Sequence, residues 1–442
     1  MLHNQEFKGP EASISQEIDE MKYRQKDESF DQKIKRIARA LSDGIEHRYE
    51  LESILGNMRF LPAGRVQSAI GSNRITTAYN CFVSGVIEDN MNSIMEKASE
   101  AAETMRRGGG IGYDFSRIRP RGDKIKSLDS QASGPVSFMG IFDAVCQTIA
   151  SSGHRRGAQM GVLRVDHPDI EEFIMAKRNS DKLTGFNISV GITDKFMEAL
   201  TNDLDSSFTL EFQGKPYRTI CARDLWDKIM DSTWDWAEPG VLFIDRIGEM
   251  NNLYYCEDIF ATNPCGEQPL PPYGACLLGS FNLTKYLDEE QIAGGEVAES
   301  HFEFDFKRFK SDIYEVVRAM DNVIDRTIYP LKKQADEAKD KRRMGLGVTG
   351  LANAGELLGK PYASEDFMTW AEKVFACLRD TTYKASALLA KEKGAFPLYR
   401  EDYLKSNFVR GLPASVKKLI REHGIRNSHL TSIAPTGTIS LV

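Results

Sequence analysis

The chain predicts an α/β fold, and two observations carry that prediction. Strand-like apolar runs at Gly161-Val162-Leu163-Arg164-Val165, Phe186-Asn187-Ile188-Ser189-Val190, residues 208–212 and Val241-Leu242-Phe243-Ile244 are separated by stretches of helical periodicity. The 442 residues are 41% hydrophobic and 27% charged, ordinary values that suit a large enzyme-sized core. One large domain over residues 56–442, preceded by a short helical region at 1–55, is favoured over two medium domains.

The elements follow in order. Residues 15–56 are strongly charged, with Ile34, Ile37, Ala38 and Leu41 at helical spacing. Phe60-Leu61-Pro62-Ala63-Gly64 marks an entry loop, and Tyr79-Asn80-Cys81-Phe82-Val83 reads as a short buried strand. Asp89 or Asn90 caps a helix bearing Met91, Ile94, Met95, Ala98, Ala102 and Met105 on one face, with Gly108-Gly109-Gly110 as its stop. Gly108 to Gly112 is no dinucleotide-binding fingerprint, because it ends a helix where such a motif must follow a strand. Helices are predicted over 312–327 and 364–393, and Leu430-Thr431-Ser432-Ile433 predicts a closing strand.

Composition also excludes. A net charge of -7 offers no basic footprint for a nucleic-acid polymer. The N-terminus lacks a signal-peptide layout and no apolar run reaches membrane-spanning length, so a cytoplasmic protein is expected. Seven scattered cysteines in a reducing compartment read as thiols or redox chemistry, not a disulfide framework.

The chemistry concentrates at Asn263-Pro264-Cys265-Gly266-Glu267, followed by Gln268-Pro269-Leu270 and Gly274-Ala275-Cys276. Pro264 restricts one backbone angle and Gly266 frees another, so Cys265 is expected at a tight turn with its sulfur displayed. Asn263 and Glu267 then project into the same small volume, adding a hydrogen-bond donor and an acid or base. Zinc is disfavoured for Cys256, Cys265 and Cys276 because no CxxC pair or nearby histidine supports it, and no metal site is expected. A cysteine hydrolase lacks a local histidine signature. Cys146, Cys221 and Cys377 read as small buried hydrophobes. The terminal Pro435-Thr436-Gly437-Thr438-Ile439-Ser440 suits a phosphate, although a plain hydroxyl-rich turn fits the same residues. The polar loop 151–159, with Arg155, Arg156 and Gln159, suits a base or phosphate contact or a solvated loop.

Together, Asn263-Pro264-Cys265-Gly266-Glu267 with Cys276, Asn80-Cys81, Asp321-Asn322-Val323-Ile324-Asp325, Arg343-Met344-Gly345-Leu346-Gly347 and Pro435-Thr436-Gly437-Thr438 resemble the catalytic chain of ribonucleotide reductases. The likeness runs from about residue 55 to the end. Arg155-Arg156-Gly157-Ala158 before Asp166-His167-Pro168, and Gly274-Ala275-Cys276 before Leu278-Gly279-Ser280-Phe281-Asn282, look most like the adenosylcobalamin-dependent class.

The resemblance implies a ten-stranded α/β barrel of two half-barrels with Cys265 on a central finger loop. It implies that Cys265 becomes a thiyl radical and abstracts the ribose 3′-hydrogen, that Glu267 is the base on the 3′-hydroxyl, and that Asn263 binds the ribose hydroxyls. The resemblance further implies that Cys81 and Cys276 form the redox pair. Thr436, Gly437, Thr438 and Ser440, with Asn80, bind a ribonucleoside di- or triphosphate. A deoxynucleoside triphosphate effector sits at a homodimer interface against Asp89, the 116–126 loop including Arg117 and Lys124, and the 151–159 loop. A thioredoxin- or glutaredoxin-like reductant is implied, and an ATP-cone domain is not expected. Relatives continue beyond the phosphate loop, so an unfinished barrel, completed by a second polypeptide or absent through truncation or reduction, is expected, with an inactive or unstable isolated chain. The alternatives are a radical supplied by a dimetal ferritin-like small subunit, a non-catalytic nucleotide-binding regulatory chain, and a glycyl-radical relative.

Overall fold

A computed structural model describes residues 6–125, 129–149, 157–178, 182–202, 206–291 and 300–442. Its principal elements begin with α1 (Ser13–Tyr23), α2 (Phe30–Leu41), α3 (Ile45–Gly56), β1 (Phe60–Pro62), β2 (Cys81–Val83), α4 (Met91–Arg106), β3 (Gly110–Asp114) and α5 (Pro135–Thr148). They continue with β4 (Gln159–Arg164), β5 (Phe186–Ile192), α6 (Ala222–Trp236), β6 (Gly240–Phe243), β7 (Leu278–Asn282), α7 (Phe306–Arg326), β8 (Gly345–Thr349) and α8 (Glu365–Lys393). The chain divides into two compact units. One comprises Met1–Asn80, Cys276–Tyr329 and Ala338–Val442, the other Cys81–Ala275 and Pro330–Glu337.

In the unit that starts at Cys81, five strands pair in the order β6-β5-β4-β3-β2, all parallel. Neighbouring parallel strands need crossover connections, and α4, α5 and α6 are among the segments that supply them. This is the predicted α/β arrangement. Asn90 caps α4, its side chain accepting from the Ser93 N–H at 2.9 Å. Ile94, Ala98, Ala101 and Met105 of α4 are buried with Ile111, Tyr113, Phe142, Phe186 and Ile188 in one core, where the Tyr113 and Phe142 rings meet edge-on at 4.8 Å. The predicted strand at 208–212 forms outside this sheet, as an antiparallel hairpin between Ser207–Phe212 and Lys215–Cys221.

Alternation along β3 decides how the sheet is used. Ile111 and Tyr113 face the helices, which leaves Gly110 and Gly112 to form a bare strip on the opposite face. The glycine run predicted as a helix stop is therefore half stop and half strand.

In the other unit, β1 pairs antiparallel with β7, and β7 parallel with β8. α7 begins at Phe306, earlier than the predicted 312, because Asp305 caps it by accepting from the Arg308 N–H at 2.8 Å. Its predicted apolar face, Ile313, Val316, Val317, Met320, Val323 and Ile324, is buried. The helix predicted over 364–393 forms as α8, with Ser364 as its N-cap, the side chain accepting from the Phe367 N–H. The predicted strand at 430–433 is reduced to one parallel bridge between Leu346 and Thr431. The Ser432 carbonyl oxygen lies 2.3 Å from where a Cβ on Gly347 would stand, so the chain crosses over β8 there and leaves the ladder. Among the described residues, no helix is long and apolar enough to cross a membrane.

Candidate active site

Ala261–Thr262 pairs antiparallel with Pro269–Leu270, which makes residues 263–268 the tip of a small hairpin. The Gly266 N–H donates to the Asn263 carbonyl at 3.0 Å, closing a β-turn with Pro264 and Cys265 at its centre, and Gly266 takes a φ of +83°. Cys265 is exposed while Thr262 and Asn263 are fully buried. The turn is framed by Asn263. Its Oδ1 accepts from the Gln268 N–H at 3.0 Å, and its Nδ2 donates to Glu267 Oε2 at 2.6 Å. An amide nitrogen has two N–H donors, and Glu267 takes one. A thiol, a carboxylate and a carboxamide thus share one turn.

The hairpin lies on the bare strip of β3. A Cβ on Gly112 would stand 1.8 Å from the Thr262 carbonyl oxygen, so only glycine admits the hairpin at that height. A Cβ on Gly110 would lie 3.0 Å from Pro264 Cγ and 3.4 Å from Cys81 Sγ, which brings the Cys81 sulfur and the hairpin tip to the same glycine. Cys81 and Gly110 are also register partners in the parallel sheet. Further across the sheet, the exposed Asn187 of β5 donates from Nδ2 to the Pro264 carbonyl at 2.8 Å. Asn187 and the two glycines are absent from the sequence-predicted site. The alternate-position glycines of Gly110-Ile111-Gly112 were a readable signal for a strand with one bare face, whereas Asn187 carries no local signal.

The remaining predicted residues fall as follows. Cys276 is fully buried in the short strand Ala275–Cys276. Asn80 has a buried Oδ1 with no hydrogen-bond partner among the described residues. Residues 436–440 form a turn with Gly437, Thr438 and Ser440 exposed and Ile439 buried, in which Thr436 holds a φ of +51° and Ser440 Oγ donates to the Gly437 carbonyl at 3.2 Å. Asp89 accepts from the Arg119 N–H at 3.1 Å and from its Nε at 2.7 Å. Arg117 pairs with Glu88 at 3.2 Å and lines a pocket of about 410 Å³ with Ser116, Arg164 and His167. Lys124 sits in a two-residue strand against Gln131. Gln159 is a core residue, its Oε1 accepting from Tyr113 Oη at 2.9 Å and its Nε2 donating to the Phe142 carbonyl at 3.3 Å. Arg155, Arg156 and Lys126 lie outside the described residues. Of the three cysteines set aside, Cys146 is buried and Cys221 and Cys377 are half-buried, and burial raises the pKa of Cys146 and Cys377.

A sheet of consecutive parallel strands with a cysteine-tipped hairpin against a glycine face defines an α/β enzyme-type scaffold, and comparison with known proteins names it. The family model described as "Ribonucleotide reductase, barrel domain" matches residues 79–442, and the chain belongs to the ribonucleotide reductase family. It is 38% identical over 392 residues to a vitamin B12-dependent ribonucleoside-diphosphate reductase of Thermoplasma acidophilum, covering 88% of this chain and 48% of that protein. A protein of the same description from Mycobacterium tuberculosis (strain H37Rv) is 38% identical over 391 residues, covering 88% and 51%. A vitamin B12-dependent ribonucleotide reductase of Streptomyces coelicolor is 30% identical over 413 residues, covering 82% and 42%. The chain spans about half the length of the curated relatives it matches.

Proposed function

We propose that this chain carries the reaction centre for reducing ribonucleotides to deoxyribonucleotides in the cytoplasm, with Cys265 as the radical-bearing thiol. The observation that carries the reading is the exposed Cys265 at a turn framed by the Asn263 to Glu267 hydrogen bond and seated on the glycine that also meets Cys81. Glu267 takes the proton of the 3′-hydroxyl, and Asn263 holds the ribose hydroxyls through its remaining amide hydrogen. Cys265, as a thiyl radical, removes the 3′-hydrogen atom. The 2′-hydroxyl leaves as water when Cys81 and Cys276 supply two protons and two electrons, one proton going out with the water and one to C2′, and close to a disulfide. The Cys265 thiol then returns its hydrogen atom to C3′, Glu267 returns the 3′-hydroxyl proton, and a thioredoxin- or glutaredoxin-like dithiol reduces the disulfide.

The vitamin B12 dependence in the relatives' names is adopted here, with adenosylcobalamin as the form of the cofactor, and the residues fit such a group. Cys265 is exposed, and a Cβ on Gly266 would meet no atom within 4 Å, which leaves room for a bulky molecule at the sulfur. When bound, that group supplies a carbon-centred radical able to accept a hydrogen atom from a thiol. The reading also includes substrate phosphates at Thr436, Gly437, Thr438 and Ser440, and a homodimer with a deoxynucleoside triphosphate bound near Asp89 and Arg117.

The test is Cys265→Ser in the intact protein, assayed for deoxynucleotide formation with a dithiol reductant and adenosylcobalamin. Turnover is abolished, because a hydroxyl holds its hydrogen too tightly to serve as the radical site. Normal turnover in this variant removes the mechanism. Turnover of the unsubstituted protein that needs a dimetal subunit and ignores adenosylcobalamin replaces the radical source and leaves the cysteine roles intact.

A further inference from the structure

An eleven-residue helix such as α1 is not stable alone, so contacts must hold it. The carboxylate of Asp19, fully buried, pairs with Arg24 at 2.6 Å and with the buried Lys33 of α2. That anchorage fixes the last turn of α1 and with it Tyr23, which is 3% exposed. The Tyr23 ring lies on Gly64, where a Cβ would stand 2.8 Å from Cε1, and forms a small apolar cluster with Leu61 and Ile439. Ile439 belongs to the turn at 436–440. Near the other end of α1, Ser15 Oγ donates to the Leu441 carbonyl at 2.6 Å. The N-terminal helix therefore grips the terminal turn at two points.

The phenol is the unexplained part of this contact. Its oxygen is buried with no hydrogen-bond partner among the described residues; burial raises the pKa of the phenol, and the Thr438 side chain stands close enough to oppose that rise. A phenylalanine would fill the same space without burying an unpaired hydroxyl, so a bond made in another state of the turn accounts for the oxygen. The turn has reason to possess another state. Thr436 holds a φ of +51°, a left-handed conformation that β-branched residues rarely adopt.

We propose that Tyr23 is a positioning residue for substrate binding: its hydroxyl donates to Thr438 Oγ1 when the turn closes on a phosphate. A threonine hydroxyl accepts through its lone pairs and donates one hydrogen. With Tyr23 as donor to it, Thr438 is left to present its own hydrogen to a phosphate oxygen. The proposal rests on the reading of residues 436–440 as the phosphate site.

Equilibrium binding of CDP and of cytidine to the intact protein tests it, in Tyr23→Phe, Ser15→Ala and Thr438→Ala variants. Tyr23→Phe weakens CDP by about three- to tenfold, the range for one lost hydrogen bond, leaves cytidine binding unchanged and does not lower the melting temperature. In turnover, KM for CDP rises by the same factor and kcat is unchanged. Ser15→Ala weakens CDP in the same direction. Unchanged CDP binding in Tyr23→Phe, alongside weakened binding in Thr438→Ala, overturns the proposal and leaves the phosphate site standing. Equal weakening of CDP and cytidine in Tyr23→Phe also overturns it, because a general disturbance of the fold would do the same. Unchanged CDP binding in Thr438→Ala removes the phosphate site and the proposal together.

Discussion

A single exposed side chain, Asn187, holds the backbone one residue ahead of the candidate radical cysteine. Its amide reaches the Pro264 carbonyl across 77 residues of sequence. One hydrogen bond contributes about 1 kcal/mol, but its larger consequence is aim, since small displacements of a reacting atom cost rate steeply. Asn187→Ala is therefore expected to lower kcat by about five- to tenfold while stability falls by no more than about 1 kcal/mol. Steady-state kinetics and a urea midpoint measure both, and an unchanged kcat would remove Asn187 from the site. The roles of Pro264, Cys265 and Gly266 in the turn were readable from their own backbone chemistry. Asn187 was not, because nothing near it in sequence needs it.

At the level of elements, glycines on one strand face act as seats for loops. Gly112 of β3 receives Thr262, and Gly347 of β8 receives Ser432, each against a carbonyl oxygen that has no rotamer with which to escape. Gly112→Ala is expected to reduce turnover by more than about a hundredfold and to destabilise by about 1–3 kcal/mol, because the hairpin must lift off the sheet. Gly140 of α5 makes the contrast. A Cβ there meets nothing within 4 Å, and Gly140→Ala is expected to stabilise by about 0.5–1 kcal/mol through helix propensity alone. Thermal denaturation of the two variants in parallel checks the pair, and equal shifts would sink the distinction.

At the largest scale, Asp43 ties together segments far apart in sequence within one unit. It accepts from Asn322 Nδ2 at 2.8 Å, pairs with Lys393 at 2.5 Å, and meets Arg318 and Arg326 at 3.2 Å each. Burial alone would raise its pKa, but the bonds from Lys393, Asn322 and Arg318 outweigh it and lower the value to about 2. A depressed carboxylate pKa stabilises the fold above the unfolded value near 4, and that contribution fades as pH falls from about 4 to about 2. Asp43→Asn is expected to cost about 1–2 kcal/mol at pH 7, a figure reduced for its partial exposure, and little at pH 2. Denaturant midpoints of both proteins across that range test it; a constant gap at every pH would contradict the assignment.

By itself the sequence determined the α/β class, the helix over 364–393, a cap for α4 at Asp89 or Asn90, the buried face of α7 and the cysteine-bearing turn, because each depends on periodicity or on residues adjacent in the chain. Tertiary structure alone decided that residues 208–212 leave the sheet for a side hairpin and that 430–433 contributes one bridge instead of a strand. It also decided that Gln159 spends its amide inside the core and that Cys81 meets the Pro264 turn over Gly110. These outcomes turn on which backbone approaches which missing side chain, and local sequence records the glycine without recording what comes to fill its place.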